Sequence, residues 1–175
     1  QYLAERRTGP CGEAVGYAIS SEISHRLIGL GRDSGSHVLV TALGADFPVA
    51  LFWETWFADY NVRVADGVPV KPGVVEALSA LAAANVPCAV ATSTATQHAR
   101  YKLEKAGLLH HFAVVAGRDT VTHGKPAPDL YLHAAKTLGH RAERCWAFED
   151  SLPGLTAAAA SGARTHWVPD LVSIH

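Results

Sequence analysis

Two adjacent carboxylates, Glu149 and Asp150, lie between a short apolar run and a predicted helix start. The apolar run 145–148 is typical of a buried strand, and Ser151 is a favourable N-cap for the following helix. Acidic side chains at the carboxyl end of a strand in an open parallel sheet face a binding crevice. Neighbouring carboxylates repel each other, and hard oxygen ligands favour Mg²⁺. The pair therefore indicates a magnesium site, and an Asp-Ser turn at the surface is the alternative.

Three hydroxyl residues, Thr92, Ser93 and Thr94, follow another apolar run at 86–91. Hydroxyl groups and the free backbone N–H groups of a helix start together suit an anion, and phosphate above all. These residues are therefore candidates for holding the phosphate of a substrate. The alternative is that Thr92 and Thr94 only cap the helix.

A lysine, Lys125, lies between Gly124 and Pro126 in a segment that follows the apolar run 112–116. Pro126 and Pro128 stiffen this segment. A lysine held on a rigid turn before a helix is a fixed positive charge that neutralises a phosphoryl oxygen. The alternative is an ordinary exposed lysine.

The elements that must position these groups alternate between helix and strand from residue 72 onwards. Apolar runs predict strands at 86–91, 112–116, 145–148 and 164–168. Helix starts are predicted at Pro72, at Thr94 or Thr96, at Pro128 and at Ser151. This alternation predicts βαβ units, and therefore an α/β fold with a parallel sheet.

Residues 13–64 have helical patterns only. Helices are predicted to begin at Ser21, at Asp33 or Ser34, and at Phe47-Pro48. Trp53 and Trp56 are expected to pack within this unit rather than to contact a ligand. The turn-rich segment 65–73 then divides the chain. We predict an all-helical domain over residues 1–66, irregular in its N-terminal part, and an α/β core over residues 67–175.

Composition narrows the possible partners. The 175 residues carry 15 Lys and Arg against 16 Asp and Glu, for a net charge of −1. This balance predicts neither a nucleic acid nor an anionic membrane as a partner. No apolar stretch is long enough to span a bilayer. The three cysteines contain no CxxC pair, which makes a reducing cytoplasm the predicted location. The sequence makes no prediction of oligomeric state.

Three segments in this order resemble motifs of the haloacid dehalogenase-like (HAD) hydrolase superfamily. Residues 89–93 resemble its second motif, residues 124–129 its third, and residues 148–151 with Gly154 its fourth. The closest resemblance is to β-phosphoglucomutase-like proteins and sugar-phosphate phosphatases, whose helical cap the unit at 13–64 resembles. The resemblance implies a Rossmann-like parallel sheet with helices on both faces, plus a small all-helical cap.

The resemblance also implies roles for individual residues. Thr92 would hydrogen-bond the transferring phosphoryl group, and Lys125 would neutralise that group and the nucleophile. Asp150 would ligate Mg²⁺, and Glu149 would ligate it or orient a bound water. Arg32 resembles the cap arginine that reaches the substrate. The Glu-Asp pair favours Mg²⁺-dependent phosphoryl chemistry over dehalogenation.

The first motif of the superfamily, Asp-x-Asp, has no counterpart in this sequence. In the superfamily it lies on a central strand between those that here end at Thr92 and Glu149, and its aspartates are the nucleophile and the general acid/base. The aspartates of the chain are Asp33, Asp46, Asp59, Asp66, Asp119, Asp129, Asp150 and Asp170. None belongs to an Asp-x-Asp, so we expect the first core strand to be missing. The chain begins with Gln1 and contains no methionine. A truncation is the simplest account; loss in a degenerate relative, or another segment or chain in the gap, are the alternatives.

The expected function is a Mg²⁺-dependent phosphatase that acts on a small phosphorylated metabolite such as a sugar phosphate. It would use an aspartyl-phosphate intermediate whose aspartate is not in this chain, so we expect the chain by itself to be inactive. One alternative is a phosphosugar mutase, which returns the phosphoryl group to another hydroxyl. The other is a catalytically dead binding or regulatory protein.

Overall fold

The computed structural model describes residues 8, 10–28, 30–65 and 67–168 of the chain. Within the described ranges, the α-helices after residue 20 are α1 (Ser21–Leu27), α2 (Arg32–Leu43), α3 (Val49–Ala65), α4 (Val74–Ala83), α5 (Thr96–Lys105), α6 (Asp129–Thr137) and α7 (Leu152–Ala160). Its strands are β1 (Ala89–Ala91), β2 (Val114–Ala116), β3 (Trp146–Glu149) and β4 (Arg164–Trp167). The predicted alternation of helix and strand after residue 72 is confirmed, and with it the α/β fold. Among the described helices, none combines the length and the apolar character that crossing a bilayer requires.

The first three helices pack around an aromatic core of their own. Phe52 and Trp53 of α3 are buried there, and their ring centroids lie 5.2 Å apart in an edge-to-face arrangement. The Trp53 indole N–H donates to Ser36 Oγ of α2 at 2.8 Å. At Gly35 a Cβ would lie 3.0 Å from the Trp53 ring, so the absence of a side chain allows α2 to approach α3 closely. The prediction that Trp53 packs within this unit is therefore confirmed.

The four strands form two parallel pairs. Val90 of β1 lies opposite Val115 of β2, and Phe148 of β3 lies opposite His166 of β4. Within the described part of the chain, no strand hydrogen-bonds β1 to β3. A cavity of about 940 Å³, which we call the central cleft, is bordered by every residue of both strands and by one side of α6. The resemblance implies a further central strand at this place, and that strand stays a prediction.

Helix α4 contributes to the central cleft without being buried itself. None of its residues is buried, and Val75 and Leu81 remain 48% and 37% exposed. Leu78 and Leu81 line the cleft. An apolar helix face of this kind normally packs against a sheet. The described residues thus leave apolar surface on α4, β1 and β3 around one common space.

The start of α2 differs from the prediction. Asp33 and Ser34 lie inside the helix, and the N-cap residue is Gly31, whose backbone is extended. The Gly31 carbonyl already accepts the first helical hydrogen bond, from Gly35 N at 2.8 Å. The helix therefore begins at Arg32. The N-cap predicted at Ser151 is confirmed, because its Oγ accepts from Gly154 N at 3.2 Å.

Helix α5 is capped by a side chain that is distant in sequence. The prediction that Thr94 or Thr96 caps this helix is wrong. The N-cap residue is Ala95, whose side chain has no hydrogen-bond acceptor. The capping acceptor is instead Asp119, which lies in the turn after β2. Its Oδ1 accepts from Thr96 N at 2.6 Å and from Thr96 Oγ1 at 2.8 Å. The backbone donor and then the hydroxyl donor lower the pKa of the Asp119 carboxyl below its ordinary value.

Replacement of the capping residue Asp119 is expected to lower the stability of the α/β core. Asp119→Ala removes the acceptor and should lower the free energy of unfolding by about 1 kcal/mol, whereas Asp119→Asn keeps an acceptor and is the matched control. Because the folded-state pKa is lowered, the contribution of the ionised carboxyl is present above the unfolded pKa of about 3.9 and is lost as the pH falls through the folded value. Urea unfolding at a series of pH values measures both effects. A wild-type stability that stays constant relative to Asp119→Asn on acidification would contradict the ionised cap.

Candidate active site

A buried carboxylate, Glu149, organises the end of β3. Its Oε1 accepts hydrogen bonds from the Lys125 ammonium and from the Tyr131 hydroxyl, and its Oε2 accepts from Ser151 Oγ at 3.2 Å. The side chains of Lys125 and Glu149 are only 7% and 6% exposed. Buried charges require a partner and further hydrogen bonds, and this arrangement supplies both. We call these four residues the Glu149 cluster.

The cluster joins segments that the sequence folds separately. Lys125 comes from the loop before α6, Tyr131 from the first turn of α6, and Ser151 is the N-cap of α7. Gly154 in α7 makes room for them, since a Cβ at that position would overlap the Glu149 carboxylate. The alternative that Lys125 is an ordinary exposed lysine is therefore excluded.

Tyr131 is a member of the site that the sequence did not indicate. Burial raises the pKa of its hydroxyl first of all, and the hydrogen bond to Glu149 and the charges of Glu149 and Asp150 raise that pKa further. The hydroxyl therefore stays protonated and donates to Glu149. The Lys125 ammonium also lies 5.2 Å from the centroid of the Tyr131 ring, within cation–π range. The only signal in the sequence is the position of Tyr131 in the first turn of α6, directly after the loop that carries Lys125.

A crevice of about 620 Å³ brings the predicted site residues of the core together. Its lining includes Thr92, Ser93, Thr94, Lys125, Glu149 and Asp150. Thr92 Oγ1 accepts from Thr94 N at 3.2 Å, so Thr92 keeps its hydroxyl hydrogen available for a further acceptor. Arg32 is exposed at the first residue of α2 and is not among the described residues that line the crevice. Leu30 is the residue of that segment that does line it.

The carboxylates of the crevice differ in their surroundings. Glu149 is buried and engaged by three donors, whereas its neighbour Asp150 is half-buried. Across the described residues, no group of three or more His, Cys, Asp or Glu side chains is placed to hold a metal ion. Mg²⁺ is commonly bound through one or two carboxylates, with water and substrate phosphate completing its shell. The carboxylate oxygens of the crevice are of the kind that Mg²⁺ prefers, and Asp150 as its ligand stays a prediction.

The helical unit and α5 also contribute to the lining of the crevice. Trp56, Tyr60 and Asn61 of α3 line it, together with His98 and Lys102 of α5. The rings of Trp56 and Tyr60 are stacked, with centroids 5.0 Å apart and planes inclined by 8°. Trp56 was expected to pack within the helical unit rather than to contact a ligand. It does pack against the aromatic core, and it also lines the crevice, so the absence of a ligand contact stays a prediction.

Comparisons with known proteins agree with this arrangement. A phosphorylated carbohydrates phosphatase of Thermotoga maritima is 29% identical over 150 residues, which are 86% of this chain and 69% of that protein. The plasmid CbbY protein of Cupriavidus necator is 36% identical over 118 residues, which are 65% of this chain and 46% of that protein. The chain therefore spans less than half of this second relative's length.

A solved structure extends the similarity to almost the whole chain. It is a mutant of CbbY from Rhodobacter sphaeroides in complex with xylulose-(1,5)bisphosphate, 26% identical, with a TM-score of 0.83 over 97% of this chain and 80% of that one. The sequence profile of the haloacid dehalogenase-like hydrolases matches residues 20–162. The chain therefore belongs to the haloacid dehalogenase-like hydrolase family.

Proposed function

We propose that this protein is a phosphatase that cleaves monoesters of a small phosphorylated metabolite, such as a sugar phosphate. The observation that carries the proposal is the crevice that gathers Thr92, Lys125 and Asp150 beside one another. The names of the relatives support it: one is a phosphatase of phosphorylated carbohydrates, and the solved CbbY structure holds a sugar bisphosphate.

In this proposal the side chains of the crevice bind the phosphoryl group and spread its charge. Lys125 has three N–H donors, and one of them is directed to Glu149. The remaining donors would be available to an incoming phosphoryl oxygen, and the hydroxyls of Thr92, Ser93 and Thr94 would add hydrogen bonds. Contact between Arg32 and the substrate would require a movement of the helical domain over the core. We place its hinge in the turn-rich segment, at residues 66–67 and 71–73, of which Asp66 lies outside the described residues.

Magnesium is part of the proposal. Bound to Asp150, it would act as a Lewis acid on a phosphoryl oxygen. The three donors on Glu149 leave this residue the task of holding Lys125 in place, and its role as a metal ligand stays a prediction. The division into domains 1–66 and 67–175 also stays a proposal. The cytoplasmic location is proposed as well, and it agrees with cysteines that form no disulfide bond with one another.

The nucleophile is proposed to be an aspartate that this chain does not contain. The central cleft supports this, because it shares Val90, Ala91, Phe148 and Glu149 with the crevice. A strand in the cleft, parallel to β1 and β3, would therefore end beside Thr92. On this proposal the 175-residue chain binds phosphate and does not turn over an ester.

Two measurements on the 175-residue chain test the function. Isothermal titration with inorganic phosphate and Mg²⁺ should show binding that is abolished in Lys125→Met and weakened in Asp150→Asn. The exposed Asp46→Asn is the matched control and should bind as the wild type does. Hydrolysis of an aryl phosphate should stay at the blank rate. Turnover that disappears in Asp150→Asn would place the nucleophile within this chain, and absence of both binding and turnover would contradict the phosphatase.

A further inference from the structure

The backbone of β1 turns hydrogen-bonding groups toward the central cleft. Cys88 O and Thr92 N both hydrogen-bond β2, each at 2.9 Å. Because the backbone groups of a parallel strand alternate between its two sides, the N–H and C=O groups of Ala89 and Ala91 point away from β2. Within the described part of the chain, no strand pairs with β1 on that side.

The backbone of β3 does the same from the other side of the cleft. Cys145 O and Glu149 O accept hydrogen bonds from β4, at 2.9 and 2.8 Å. The N–H and C=O groups of Trp146 and Phe148 therefore point away from β4. An unpaired strand edge is a template for another chain. Two such edges on one cavity favour a single strand that pairs with both.

Both edges run in the same direction. Residues 90–91 of β1 and 148–149 of β3 line the crevice as well as the central cleft. Residues 87–89 and 144–147, which precede them, line the cleft but not the crevice. Each strand thus runs toward the crevice, so an inserted strand can be parallel to both.

The walls of the central cleft are apolar. Leu78 and Leu81 of α4 and Leu138 of α6 line it. Two of its polar lining residues, Tyr131 and Glu149, are hydrogen-bonded to each other. A polar side chain inserted among these groups would lose water without gaining a partner. The cleft therefore suits a continuous apolar run, as in strands that are buried on both faces.

A cation lies where an inserted strand would begin. Arg144 is exposed, lies two residues before β3 and lines the central cleft. Among the described residues no carboxylate forms an ion pair with it. Glu149, at the other end of β3, is already paired with Lys125. An acidic residue ahead of the apolar run would complement Arg144.

We propose that the central cleft binds a separate polypeptide through an extended apolar segment, which inserts as a strand between β1 and β3. The segment runs in the direction of both strands, and an acidic residue at its amino end lies beside Arg144. Its backbone pairs with β1 on one side and with β3 on the other. The inference concerns how the cleft is filled, and it holds whether or not the segment carries the proposed aspartate.

Isothermal titration of the 175-residue chain with synthetic peptides tests the insertion. The probe is a leading glutamate, about five alternating valine and isoleucine residues, which extend about 16 Å, and a glycine- and serine-rich tail. It should bind, and a version with proline at the centre, which lacks a backbone donor there, should not. Bound probe should protect Cys88 and Cys145, which line the cleft, from iodoacetamide, and leave the labelling of Cys11 in the helical unit unchanged.

A charge exchange tests the direction. A leading lysine instead of glutamate should weaken binding to the wild type about fivefold, a small factor because the pair is exposed. Arg144→Glu should reverse this preference. Arg164→Glu is the matched control and should retain it, since Arg164 is also exposed but begins β4 and does not line the cleft.

Each outcome bears on a different part of the proposal. Failure of the glutamate peptide to bind a chain that still binds phosphate would overturn the interaction and leave the phosphatase intact. Equal affinity for the proline peptide would overturn strand insertion, and a preference that Arg144→Glu does not reverse would overturn the direction. A dimer in light scattering that protects Cys88 and Cys145 without peptide would assign the cleft to a second copy and overturn the separate partner.

Discussion

Glu149→Ala is expected to lower the free energy of unfolding by about 3–5 kcal/mol, the usual cost of leaving one member of a buried ion pair without its partner. The Lys125 ammonium would stay buried without a counter-charge, and Tyr131 and Ser151 would lose their acceptor. This is a large share of the stability of a domain of this size. Urea denaturation followed by tryptophan fluorescence measures it.

Two further variants separate the charge from the hydrogen bonds. Glu149→Gln keeps an acceptor for Tyr131 and should be intermediate between wild type and Glu149→Ala. Glu143→Ala removes an exposed carboxylate whose partner, Arg141, is also exposed at a distance of 3.4 Å. It should leave the unfolding midpoint unchanged. If Glu149→Ala unfolds at the same urea concentration as Glu143→Ala, the cluster is not the stabilising centre described above.

Gly154→Ala is expected to disrupt the Glu149 cluster from the side of α7. The new methyl group would occupy the position of the carboxylate, which Lys125, Tyr131 and Ser151 hold from other directions. Either the carboxylate or α7 must shift, and overpacking of this kind costs about 1–3 kcal/mol. Because Lys125 shifts with Glu149, phosphate binding should weaken as well. Thermal unfolding and phosphate titration of the same sample give both quantities.

Gly31→Ala is the matched control for this substitution. Gly31 also lies near the crevice, but a Cβ there would be 3.7 Å from Ser93 O, an ordinary contact, and its φ of −78° suits alanine. This variant should bind phosphate like the wild type. Equal phosphate affinity of Gly154→Ala and Gly31→Ala would contradict the close packing of α7 against Glu149.

The features predicted correctly from the sequence depend on residues that lie close together along the chain. Ser151 caps α7 through a hydrogen bond from Gly154, three residues away. The features that sequence reasoning missed depend on long-range contacts. Asp119 caps α5 from 23 residues away, and Tyr131 reaches Glu149 across 18 residues. No local pattern distinguishes Asp119 or Tyr131 from other polar residues near a helix start. The packing of the turn after β2 brings Asp119 to α5, and the packing of α6 brings Tyr131 to Glu149.

The sequence also does not indicate which member of the acidic pair, Glu149 or Asp150, is buried. The sequence predicts that Glu149 and Asp150 end a strand, and successive residues of a strand point to opposite sides, so they need not share a role. Which of them is buried depends on the cation that lies nearby. Lys125 comes from a loop 24 residues earlier and accounts for the burial of Glu149. Asp150 is half-buried and also lines the crevice.

The residues that line the crevice differ in how freely they can change during evolution. Glu149 and Lys125 are also buried, so an exchange there endangers the fold. On α3 and α5, Asn61 and His98 are exposed, and exchanges at exposed positions usually alter stability by less than about 0.5 kcal/mol. Under the proposed function, descendants of this chain could therefore acquire new phosphate esters as substrates by small, nearly neutral steps while Lys125 and Glu149 stay the same.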